Sequence, residues 1–199
     1  MIFRRFALLT SPVKTALSAE NSTVTPGISF NPSFTLCWVP SSRTVVKDAG
    51  AGTTTTQVGR SLRHRKGITV VTNALNIAME LSHTDLKIIV IGGGVSGDSF
   101  ALTGSLGIVA VGGIFYDKAF VGVAGIHPDH GLTTNYPDQG PVHQAMIRQA
   151  RQRIVVADHS KIGNVGTVLI APITGVDLII TDESASPKLS EFSAKIMMV

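Results

Sequence analysis

The 199-residue chain has one cysteine, Cys37. A lone thiol excludes an internal disulfide framework and fits a reducing compartment, so a cytoplasmic protein is expected. No apolar run reaches the roughly 18 residues that crossing a bilayer requires, so no membrane association is expected. Charged residues are sparse, at 15% against 44% hydrophobic, a balance that suits a buried parallel sheet and excludes a disordered or fibrous chain. Acids are nearly missing from the front. Residues 1–47 hold Arg4, Arg5, Lys14, Arg43 and Lys47 against Glu20 alone, and so carry the whole +4 excess. The rest is neutral, so the net charge is poor support for nucleic-acid binding by the main body.

Residues 1–42 are rich in Ser, Thr and Pro and keep no regular period. Two arginines before a short apolar stretch faintly resemble a targeting peptide, but Pro12 and Lys14 interrupt it, and a poorly ordered basic tail is the expectation. No helix-turn-helix pattern is visible there, since Pro12, Pro26, Pro32 and Pro40 would break a recognition helix. From residue 43 the pattern is regular. Strand-length apolar runs appear at TVVKDA, GITVVTN, LKIIVIGG, KAFVGVAG, RIVVADHS, TVLIA and VDLIITD. Helical spacing appears in TTTQVGRSLRHR, NALNIAMELSH, ALTGSLGIVAVGG and QGPVHQAMIRQARQ, with Ala74, Ile77, Ala78 and Leu81 on one stripe. This alternation predicts an α/β domain over 43–199, a mainly parallel sheet with helices on both faces.

Polar and small residues gather where the strands are expected to end. Asp48 to Thr54 follow the first run, Thr72-Asn73 the second and Gly92–Gly94 the third; Gly125 and Gly131–Asn135 follow the next, and Asp158–Lys161 follow RIVVADHS. In open α/β sheets ligands bind outside the carboxyl ends of strands. Glycines admit converging N–H groups, a helix N-terminus favours an anion, and threonine hydroxyls and a lysine add to both. Taken singly, each element also reads as a turn or a helix cap. His127, Asp129 and His130 in AGIHPDHGL, with Asp48 and Asp117, would be the acid–base candidates of an enzyme, but no Cys/His pair with metal-ligand spacing accompanies them.

In order, DAGAGTTTT, ITVVTNALNIAMELS, IVIGGGV, LTGSLG, YDKAFVGVAGI, GLTTN, AMIRQARQRIVVADHSKIG and VDLIITD resemble the C-terminal effector domain of DeoR/GlpR-type transcription regulators. The resemblance implies a fold related to ribose-5-phosphate isomerase and glucosamine-6-phosphate deaminase, used to sense a phosphorylated sugar or polyol rather than to catalyse. It places Gly52, Thr53 and Thr54 at the phosphate with Thr72, Asn73 and Lys161, and Asp48 and Asp117 beside the sugar hydroxyls. ADHSKIG is most similar to the glycerol-3-phosphate-responsive branch. The resemblance also implies a homo-oligomer, and DNA as a partner only through a helix-turn-helix module supplied elsewhere; no cofactor or metal is expected. A sugar-phosphate isomerase or deaminase stands as the alternative. Two features depart from the family pattern: two extra residues in Asp48-Ala49-Gly50-Ala51-Gly52-Thr53-Thr54, and Asp138 where a glutamate is common.

Overall fold

The computed structural model describes residues 29–31, 35–37, 44–49, 52–96, 99–188, 192 and 194–199. Two compact units divide the chain, residues 1–43 and 44–199. In the first, β1 (Ser29–Asn31) and β2 (Thr35–Cys37) form an antiparallel pair. The readings of a tail, a targeting peptide and a missing helix-turn-helix fall mostly outside the described residues.

The second unit is built on a seven-stranded sheet in which every neighbouring pair is parallel. Its strands are β3 (Thr44–Ala49), β4 (Ile68–Thr72), β5 (Lys87–Val90), β8 (Tyr116–Val121), β11 (Ala150–Val156), β13 (Leu178–Thr181) and β14 (Lys195–Met198). They lie in the order β14-β13-β11-β8-β3-β4-β5. The first three strands therefore step outward one way, and the remaining four step the other way from β8. Strand order reverses between β3 and β8, and the crevice outside the carboxyl ends of that pair is where open α/β sheets bind ligands.

Continuous apolar runs form these strands because both sheet faces are covered. Helices α1 (Thr53–Ser61) and α2 (Leu75–Leu81) follow β3 and β4, while α3 (Ser105–Gly112) and α4 (Gly140–Arg148) precede β8 and β11. Val71, Ala119, Val121, Val155 and Ile179 form one core with Val111 of α3 and Val142 and Met146 of α4. Alternate residues, Val70, Phe120, Ile154 and Ile180, are buried on the other face, where right-handed crossovers place α1 and α2. The stripe expected on α2 is buried, with Ala74, Ile77 and Leu81 at most 1% exposed.

Three departures from the expected elements matter. The TVLIA run is β12 (Val168–Ala171), which pairs antiparallel with β10 (Gly131–Thr134) in a separate three-stranded sheet with β9 (Gly125–His127). The segment expected to be one helix from Ala101 is β7 (Ala101–Thr103) followed by α3. Strand β7 pairs with β6 (Gly94–Ser96), and the break falls at Gly104, whose φ of 102° few other residues tolerate. The edge strand β14 has no counterpart among the expected runs.

Candidate functional site

Three arms reach the carboxyl rim of the sheet. The first is the start of α1. Gly52 is its N-cap, with extended φ −69° and ψ 159°, and no side chain caps the helix. The hydroxyls of Thr55 and Thr56 both donate to the Gly52 carbonyl at 2.9 Å, and the Thr56 N–H donates to it at 3.0 Å. The threonine run therefore splits: its second half folds back onto the helix end. Thr53 is exposed and Thr54 half-buried, so the helix opens at the surface. Helix N-termini carry about half a positive charge, and the first turn has no acidic residue to offset it. Asp48 lies one residue from the end of β3, in register with Thr72 on one side and Phe120 on the other.

The second arm is the turn after β4. Thr72 and Asn73 are fully buried. Thr72 Oγ1 accepts the N–H of Ala74 at 3.0 Å. Asn73 Nδ2 donates to the carbonyl of Leu102 at 3.2 Å, and the Leu102 N–H donates back to the Asn73 carbonyl at 2.7 Å. These two side chains build the turn and pin β7 to it.

The third arm follows β11. Asp158 Oδ1 accepts the Ser160 N–H at 2.8 Å and opens a short 3-10 turn, His159–Lys161. The next residues lean on β9, since the Gly163 N–H donates to Ile126 O at 2.8 Å. Gly125 makes that approach possible: a Cβ there would lie 2.3 Å from Asn164 O. Lys161 is half-buried and has no carboxylate partner among the described residues.

Asp117 is not brought to this rim. It is the second residue of β8, at the amino edge of the sheet, and with Phe115, Tyr116, Arg148 and Arg151 it lines an open groove of about 440 Å³. The rim thus gathers Asp48, Gly52, Thr53, Thr54, Thr72, Asn73 and Lys161, and leaves Asp117 across the sheet. Residues 50 and 51 of the first motif lie outside the described residues.

The histidine loop is a hairpin turn between β9 and β10. His127 Nδ1 accepts the N–H groups of Asp129 and His130 at 3.2 and 3.4 Å. Among the described residues no three His, Cys, Asp or Glu side chains are grouped to hold a metal. Sequence reasoning missed Asp182, which ends the β13 segment and ties its loop to His159. Its signal was an acid directly after a buried apolar run.

The family model that matches this chain is the DeoR C terminal sensor domain, over residues 36–183. The chain belongs to that family. The HTH-type transcriptional repressor GlcR of Bacillus subtilis is 39% identical over 115 residues, 57% of this chain and 44% of the relative. FruR of Bacillus subtilis, an HTH-type transcriptional regulator, is 34% identical over 66% of this chain and 53% of its own length. For YgbI of Escherichia coli, also an HTH-type transcriptional regulator, the values are 35%, 70% and 56%. The chain spans about half the length of these relatives. Among solved structures, a ribose-5-phosphate isomerase in complex with phospho-erythronic acid matches at TM-score 0.42 and 16% identity over 61% of this chain and 48% of the other. The eIF2B beta subunit from Chaetomium thermophilum matches at TM-score 0.47 and 13% identity over 69% and 43%. Within the DeoR domain, the departure at Asp138 has a local role, since its carboxylate accepts the Thr103 hydroxyl at 3.2 Å just ahead of α4.

Proposed function

We propose that this DeoR-family domain senses a phosphorylated sugar or polyol at the carboxyl rim of its sheet, beside the β3–β8 reversal. The phosphate sits on the open start of α1, held by the amides and hydroxyls of Gly52, Thr53 and Thr54, with Lys161 as counter-charge. Asp48, next to last in β3, is assigned to the hydroxyls of the sugar, and Thr72 and Asn73 set the shape of the adjoining turn. The observation that carries this reading is the uncapped, acid-free N-terminus of α1 on the same rim as a lysine with no carboxylate partner among the described residues. Each hydrogen bond to a charged group contributes roughly 1.5–3 kcal/mol, so three or four suffice for the roughly 4–5.5 kcal/mol of a metabolite sensor working near 0.1–1 mM.

The protein acts as a cytoplasmic homo-oligomer, and a helix-turn-helix module carries its DNA contact. The role is regulatory rather than catalytic: its relatives are named regulators, Asp117 is at the opposite rim, and His127 is committed to a hairpin turn. Thermal denaturation tests the sensing. Glycerol 3-phosphate or a sugar phosphate should raise Tm where glycerol or the free sugar does not, and Lys161→Ala should remove most of that rise. Equal shifts with and without phosphate, or an unaltered shift in Lys161→Ala, would refute it.

A further inference from the structure

Helix α3 has an outer face that water does not suit. Leu106 and Val109 are 72% and 76% exposed, and Phe115, three residues beyond the helix, is 80% exposed. From Ser99 to Tyr116 the chain carries no charge. A helix at the surface of a soluble domain turns polar side chains outward, whereas one that is apolar all round is a buried helix. The inner side of α3 is already packed. Gly107 and Val111 are buried, and a Cβ on Gly107 would meet Gly92 O at 3.0 Å and Val142 Cγ2 at 3.8 Å. Among the described residues nothing gives the outer side such cover.

We infer that a second copy of this chain covers it, with the two α3 helices packed across a two-fold axis. This names the surface behind the homo-oligomer proposed above and does not depend on which effector binds. The area is of the right size. Leu106, Val109 and Phe115, with Val95 and Phe100 on the β6–β7 hairpin that leads into α3, are each more than half exposed. Summed, these side chains expose roughly 600 Å² per copy, so a symmetric contact that covered all of them would bury roughly 1,200 Å², the lower bound of a specific interface. The chemistry also suits a self-match. An uncharged face repels nothing on its own copy, and Ala110, Gly112 and Gly113, all exposed, let two helices approach closely. Beside Phe115 the groove residues Asp117, Arg148 and Arg151 supply both signs of charge, as a self-complementary rim requires.

Sedimentation velocity on the full chain, with and without effector, tests the assignment. The unaltered protein should be dimeric at micromolar concentration, and Leu106→Glu with Val109→Glu should weaken association by more than roughly thirtyfold. Val165→Glu, at a residue 52% exposed on the loop after Lys161, should leave the dimer intact. If the double variant does not fold, Val109→Cys in a Cys37→Ser background should oxidise to a covalent dimer. A monomeric unaltered protein, a dimer that survives the double substitution, or a Val109→Cys chain that does not cross-link would each overturn the inference. A monomer that still shifts its Tm with glycerol 3-phosphate would sink this interface and leave the sensing proposal standing.

Discussion

Asp182 holds His159 at two points: its Oδ2 accepts the His159 N–H at 2.7 Å, and its Oδ1 lies 2.9 Å from His159 Nδ1. The same carboxylate accepts the Ser184 N–H at 3.0 Å. One acid at the end of β13 thus fixes the turn that presents Lys161. Burial raises the Asp182 pKa, but the hydrogen bonds from His159 and Ser184 outweigh it, so the carboxyl sits below its ordinary value. A carboxyl depressed in the folded state stabilises above the unfolded value of about 3.9 and loses that contribution as pH falls through the lower folded value. Asp182→Ala should therefore cost about 1–3 kcal/mol at neutral pH, with the gap to the unaltered protein closing in acid. Chemical denaturation across pH checks the first point. Phosphate-dependent Tm shifts should also shrink, because Lys161 loses its support.

Gly125→Ala should act on the same loop from the other side. A Cβ there would lie 2.3 Å from Asn164 O and 2.7 Å from Thr133 Oγ1, neither of which can move without shifting backbone or a buried hydroxyl. Overpacking of this kind costs about 1–3 kcal/mol, or several degrees in Tm for a domain of this size. Gly92→Ala is the comparison, since a Cβ there meets nothing within 4 Å. A Gly125 variant as stable as the Gly92 variant would mean that the segment after Lys161 does not rest on β9.

Lys118 is 6% exposed in the middle of the sheet, in register with Val46 and Gln152, and has no ion-pair partner among the described residues. Burial lowers its pKa, and the charge of the neighbouring Asp117 only partly opposes this. For a base depressed in the folded state, the unfolded chain binds the proton more tightly. Stability therefore rises as pH climbs from the folded value towards about 10.4, and below that window the lysine destabilises in full. Lys118→Met keeps the aliphatic stem and removes the charge. It should stabilise by about 1–3 kcal/mol at neutral pH and abolish the alkaline gain, both measurable by urea denaturation. A lower stability would reveal a partner for the ammonium.

The buried strands were legible because a parallel sheet covered on both faces writes itself as unbroken apolar runs, as in ITVVT, RIVV and LIIT. Strands outside that environment were not. The GLTT of β10 looks like a loop, and the KIMM of β14 has neither β-branched alternation nor a bounding turn signal. Which rim a residue joins was also readable in principle: Asp117 precedes its apolar run, and residues before a run lie at the amino edge. Side-chain direction was not readable. Thr72 and Asn73 sit at a strand end as expected, yet they turn inward because the hairpin that covers them arrives from residues some thirty positions later.

Asn73 offers the sharpest separation of structure from binding. Its amide donates to Leu102 O, and its carbonyl accepts the Leu102 N–H, so it joins the effector rim to the strand that leads into α3. Asn73→Ala leaves the Leu102 carbonyl without that donor in a fully buried setting, at a cost of about 1–3 kcal/mol. If the side chain serves only to build the turn, Tm should fall by several degrees while the increment added by a saturating phosphorylated effector stays close to that of the unaltered protein. Should Asn73 also touch the effector, Asn73→Ala would lose part of the increment as well, and isothermal titration would show weakened affinity at temperatures where both proteins are fully folded. Lys161→Ala should give the inverse pattern, an almost unchanged Tm without ligand and a lost increment with it. That contrast holds only if the lysine is free to meet an anion and the asparagine is not.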